Sequence, residues 1–376
     1  MPTLLLGSHA SVVYLDSDRH DAYGTRTFDI LQRYDTVTGK KTAIVRVTNA
    51  SIIDAQVSTN GQWVMFISQQ DQHTDYQIQL IRMDGTYLQT LYCFSSTDDT
   101  FFWSPDQKLL AFAESPYPNP SFFPLRPGTP QLRLLNLTNG NLQTEQLNSS
   151  NDAYNTYTPL YWLDNAHLVI IHEVADSGAN TYATSLYLLD TAKSPYQQPS
   201  DLQRLNGPFT DVSDFSSSID SFQVFFTSCK GSIKFFQPPC SINVQPTLGG
   251  NVSSIYQSKT LIINMLQVID SSTLLFIVAN QVGNTSQNGL WKIHTDGTGL
   301  THLTTETDPT TSISLSHFSS TPWSVVSRDD SMFAIQVLSY QTILVAGSMN
   351  TGKLITLSSS SDSNWSESGI VGWTTM

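Results

Sequence analysis

An internal repeat limits this chain to few folds. An apolar-alternating strand ends in a polar turn, often with Asp, and a second, more apolar strand follows. After a loop of variable length comes a pair of strands around a turn with Asp, Asn or Gly. The first hairpin is clearest in Trp103-Ser104-Pro105-Asp106-Gln107-Lys108-Leu109-Leu110-Ala111-Phe112. Weaker copies run over 57–68, 161–172, 215–227, 268–279 and 325–337. The second hairpin shows around Met83-Asp84-Gly85, Asn139-Gly140 and Asp296-Gly297, and again around Thr38-Gly39 and Thr351-Gly352. A further copy spans 186–205.

The middles of the second strands are Val13, Phe66, Phe112, Ile170, Phe225, Phe276 and Ile335, spaced 46 to 59 residues apart. A four-strand unit of about 40–50 residues is the period of a propeller blade, and longer spacings are loop insertions. The chain opens on a second-strand pattern, Ala10 to Leu15, and closes on a lone first-strand pattern, Gly369-Ile370-Val371-Gly372-Trp373. Joining the two completes a blade and hides both sheet edges. The expected fold is an all-β, seven-bladed propeller of four-stranded antiparallel blades, with six or eight blades as alternatives. It forms one domain over 1–376, with blade 1 built from 1–48 plus 368–376.

Composition agrees. Ser and Thr together make up about a quarter of the 376 residues, while charged residues are only 13%. Such material suits strands and polar turns better than long surface helices. The net charge of −13, with 18 scattered basic residues, offers no patch for nucleic-acid phosphates or an anionic membrane. No apolar run is long enough to span a bilayer, and the first residues do not read as a secretory signal.

The Trp-Ser-Pro-Asp opening of residues 103–106, followed by Leu110-Ala111-Phe112, resembles the repeat of TolB-like propellers. It is also similar to repeats in the propeller domains of prolyl oligopeptidases. The resemblance implies the fold; a shared fold does not by itself carry a function.

No catalytic motif stands out. Gly-x-Ser-x-Gly and phosphate-loop patterns are absent, and the eight histidines show no zinc spacing. Asp16, Asp18 and Asp21 read as one polar loop, faintly like a calcium loop that lacks its closing Glu. A more systematic feature is acidity near the starts of the first strands: Asp54, Asp98, Asp99, Asp152, Asp211, Asp308 and Glu367. Those starts surround one mouth of the channel, so the carboxylates are candidates for attracting a cation or a basic peptide. The plainer reading is that an acidic protein places Asp in every loop class.

The longest distinctive loop, 116–130, is rich in proline and carries Tyr117, Phe122, Phe123 and Arg126. Proline lowers the entropy lost on binding. The loop is read either as a binding loop or as a flap folded over its own blade. Aligning 241–244 with 131–134 places Cys240 at the start of a third strand, facing Cys229 at the end of a second. A cross-strand disulfide fits there, with two buried thiols as the alternative. Cys93 is left over, expected to pack at a blade edge. A disulfide argues for a periplasmic, cell-surface or secreted location.

The expected function is a non-catalytic extracytoplasmic module, likewise monomeric, that binds a protein, peptide or other ligand on its loop-rich face without a cofactor. One alternative is a hydrolase or lyase with a divalent cation at the channel mouth. Another is the sensor ectodomain of a larger membrane protein.

Overall fold

The computed structural model describes residues 4, 7–19, 26–70, 75–94, 97–114, 131–147, 155–175, 182–205, 212–220, 222–230, 237–279, 285–304, 312–314, 322–338, 342–359 and 368–375. They form seven four-stranded antiparallel sheets, in each of which the strands follow one another from first to fourth. First strands contact one another at four of the joints between successive sheets, and an apolar cluster fills every joint, which makes the sheets the blades of a propeller. Blade 1 takes Gly369–Thr375 as its first strand and Ala10–Arg19, Arg26–Asp35 and Lys41–Thr48 as the other three. The last strand of the chain thereby closes the ring on the first.

The core is divided among the joints between blades. Among the described residues there are seven apolar clusters, one per joint. Val13, Leu15 and Leu31 of blade 1 pack with Ile52, Val64 and Phe66 of blade 2. The smallest cluster, between blades 4 and 5, is Val169, Leu186, Leu188, Leu205 and Phe226. The joint between blades 7 and 1 has small residues, Ala10, Ala334 and Ala346, around the fully buried Trp373.

The Asp of the first-hairpin turn has a consistent job. In blades 2, 3, 5 and 7 a Ser hydroxyl donates to an Asn or Asp two residues on: Ser58 to Asn60, Ser104 to Asp106, Ser218 to Asp220 and Ser327 to Asp329. The same hydroxyl accepts the N–H five residues on, from Trp63, Leu109, Gln223 and Met332. Blades 4 and 6 use Asp164 and Asp270 alone to accept backbone N–H groups. Blade 1 has no such turn because its first two strands come from opposite ends of the chain.

The fourth strands of blades 1 and 5 are bulged at Ile44 and Ile255, which have no partner in register. A bulge turns its carbonyl out of the ladder. The next blade's second-hairpin turn packs on that carbonyl: a Cβ on Gly85 would lie 2.8 Å from the Ile44 oxygen, and one on Gly297 nearer still to that of Ile255. At the closing joint the corresponding bulge, Leu357, instead gives its carbonyl to the Lys41 ammonium.

Two details differ from the sequence reading. Asp16 and Asp18 belong to the strand Ala10–Arg19, which runs past Leu15, and are not in a loop. Asp16 accepts from Gln32 of the neighbouring strand and from Ser358 of blade 7, partners that sequence spacing does not reveal. The first strand of blade 7 is split into Ser312–Ser314 and a bridge at Val326, preceded by a helical turn, Pro322–Val325.

Candidate functional site

The connections from second to third strands, and from each blade to the next, lie on the face opposite the tight hairpin turns. Of the predicted binding residues, Tyr117, Phe122, Phe123, Arg126, Asp152, Asp211, Asp308 and Glu367 lie outside the described residues. Asp98 and Asp99 belong to the first strand of blade 3, Thr97–Trp103, whose pairing is bulged between Asp98 and Phe101. Asp54 lies in the first strand of blade 2, Ala50–Val57, beside another bulge. It is buried, and its carboxylate accepts the Ala55 N–H at 2.7 Å.

First strands carry such bulges in every blade except the seventh, where only a three-residue piece is paired in a strand. Bulges bend the strand and re-aim side chains, so the regular alternation used to read the sequence breaks at the channel wall.

The ends of the 116–130 loop are delivered by two strands of blade 3. Leu109–Glu114 and Gln131–Asn136 are in register, with Glu114 opposite Gln131. Arg133 donates to Glu114 at 2.9 Å, in an ion pair largely shielded from solvent. Arg133 also bonds the Thr144 hydroxyl of the fourth strand, and the Tyr92 hydroxyl of blade 2 donates to Glu114 at 3.4 Å. Burial first, and then the Glu114 charge, push the Tyr92 hydroxyl up from its ordinary value and keep it protonated as a donor. Around these groups Tyr76 and Tyr92 each stack on Phe94, and Phe112 meets Tyr92 and Phe94 at tilted angles, with ring centroids 5.4 to 6.1 Å apart. The loop therefore starts and ends on a braced platform spanning blades 2 and 3.

A second aromatic group stands at the same face of blade 4. Tyr157 stacks on His172 at 4.2 Å, and Tyr187 meets both rings. Burial pushes the Tyr157 hydroxyl up to about 12.

Cys229 and Cys240 lie opposite each other in register and form a disulfide. Both are buried, against Ile263 and its neighbours in blade 6. Cys93 is free and exposed on the fourth strand of blade 2; it does not pack as expected at the edge. Among the described residues no three His, Cys, Asp or Glu side chains come together as a metal site, and no helix is long and apolar enough to cross a membrane.

Sequence reasoning missed the side chains that tie blades together on this face. Asp29, fully buried in blade 1, accepts the Ile52 N–H of blade 2 at 2.7 Å and a bond from the Ser17 hydroxyl. An isolated Asp within an apolar-alternating strand was the available signal. At the opposite end of the first strands, beside the tight turns, Gln56 accepts the Trp103 N–H from blade 3.

No family model matches the sequence, and no curated protein matches it. Solved structures do match in fold. The chain superposes on the Pyrococcus horikoshii acylaminoacyl peptidase with a TM-score of 0.61 at 10% identity, covering 93% of this chain and 50% of that one. The β-propeller domain of the Trilobed protease from Pyrococcus furiosus, described as having an open velcro topology, gives 0.55 at 7% identity, over 93% and 91% of the two chains. TolB from Acinetobacter baumannii gives 0.47 at 14% identity, over 77% and 62%. The chain thus spans about half the length of the peptidase and less than two thirds of TolB. The similarity is one of fold.

Proposed function

We propose that this propeller is a non-catalytic binding module that presents its loop-rich face to a protein or peptide partner outside the cytoplasm. The observation that carries the reading is the braced platform at the two strand ends that flank residues 116–130. Glu114, Arg133, Tyr92 and the stacked rings hold the two ends of a proline-dense, aromatic segment in fixed register. A loop with fixed ends and few backbone freedoms loses little entropy on binding. Its Tyr117, Phe122, Phe123 and Arg126 are of the types that dominate binding energy at interfaces. The disulfide supports an oxidising compartment, and the acidic balance favours a partner with basic groups.

The test is affinity capture from an extract of the source cells with the intact chain and with a version lacking 116–130. The expected result is a partner retained by the first and lost by the second, with both versions unfolding at similar temperatures. Equal retention by the two removes the loop from the interface. A folded chain that captures nothing in either form overturns the binding reading.

A further inference from the structure

On the opposite face, where the tight hairpin turns lie, a groove of about 380 Å³ follows the joint between blades 7 and 1. Its lining includes Met332 and Ile355 together with Thr351 and Thr36, whose hydroxyl donates to the Ala10 carbonyl at 2.8 Å. Charges of opposite sign line it. Asp329 uses only Oδ1 in its turn, accepting from the Ser327 and Ser331 hydroxyls and the Ser331 N–H, and its Oδ2 accepts nothing among the described residues. Lys353 is exposed, and its ammonium makes no bond among the described residues. His9 is positioned by Asp35 at 3.1 Å.

We propose that this groove is a binding site for a short peptide with both termini free, its ammonium on Asp329 and its carboxylate on Lys353. The volume lies within the usual range of small-ligand sites. The apolar lining of Met332 and Ile355 suits a peptide's side chains, and the threonine hydroxyls suit its amide groups. A further carboxyl, Asp330, is pushed up from its ordinary value by burial and then by the charges of Asp270 and Asp329. That shift reflects a negative potential around Asp329, at the end assigned to the ammonium. A bound peptide would bridge blades 7 and 1 on the turn side of their apolar joint. The proposal does not rest on the loop-rich face.

Trialanine is the probe, titrated by calorimetry and by thermal unfolding of the full chain. The expected dissociation constant is on the order of 1 mM, with a rise in unfolding temperature at saturation. Lys353→Gln and Asp329→Asn should each weaken binding about tenfold. Capping the probe as N-acetyl-trialanine should mimic Asp329→Asn, and amidating its C-terminus should mimic Lys353→Gln. Lys353 is exposed, so its variant folds even if Asp329→Asn disturbs the turn. Deleting 116–130 should leave this binding unchanged, which separates it from partner capture on the other face. The proposal is overturned by no saturable binding up to about 50 mM, or by equal binding to the wild type and Lys353→Gln. Equal binding of capped and free probes also overturns it.

Discussion

Gly85 and Gly140 occupy the same turn in neighbouring blades, yet only one is pressed against another blade. Both have positive φ, 81° and 75°. Gly85 faces the Ile44 carbonyl, whereas a Cβ on Gly140 would meet nothing within 4 Å. Alanine at Gly140 should therefore cost only the backbone strain, about 1 kcal/mol. Alanine at Gly85 adds a clash with backbone that cannot swing away, and should cost about 3 kcal/mol. Urea unfolding of the two variants checks the difference. Turn carboxylates make a second residue-scale prediction. Burial opposes ionisation of Asp35, but N–H donors from Thr38 and Val37, with His9, overcome it and hold the carboxyl well below the usual carboxylate range. Arg82 does the same for Asp84. Their folded values lie below the ordinary 3.8, so the unfolded chain takes up protons first as pH falls. The stability they contribute is complete above about pH 4–5 and is lost as pH drops through the folded values. Unfolding temperature measured from pH 7 to pH 2 should be flat and then fall, and Asp35→Asn should shallow the fall.

Hairpins are the elements that the sequence shows best, because strand alternation and turn chemistry are local. Trp103-Ser104-Pro105-Asp106 announces its turn through groups that bond one another within six residues. The pairing of Cys229 with Cys240 was legible for the same reason: both strands belong to one hairpin. The joints were not legible. Gly85 meeting Ile44, Asp29 meeting Ile52 and Lys41 meeting Leu357 link separate blades through contacts that no local pattern encodes. The loop-rich face was legible as composition only, since the bulges of the first strands shift which side chains face the channel. At this scale the disulfide hairpin gives a direct test. Denatured, unreduced protein should titrate one thiol, Cys93, and reduced protein three. Replacing both Cys229 and Cys240 by Ala should lower stability by about 2–3 kcal/mol in chemical denaturation, given a cross-link spanning 11 residues.

For the molecule as a whole, the closing joint differs from the other six. Trp373 is fully buried there and donates its indole N–H to the Val325 carbonyl of blade 7 at 3.1 Å. Arg328 of blade 7 reaches across it to the Ser58 and Thr59 carbonyls of blade 2. Trp373→Ala leaves a large hole at the joint between blades 7 and 1, and should cost about 3–5 kcal/mol. Calorimetry should show the loss as a lower unfolding temperature. The closure also sets an order of events during synthesis. Residues 369–375, which line the axis of the first blade, leave the ribosome after all the other strands. Until then Ala10–Arg19 presents an unpaired edge, and a nascent chain with such an edge is open to pairing with its neighbours on a polysome. Synthesis of residues 369–375 is the step that turns a string of joined sheets into a circle, so a chain arrested before them would keep that edge open to its neighbours.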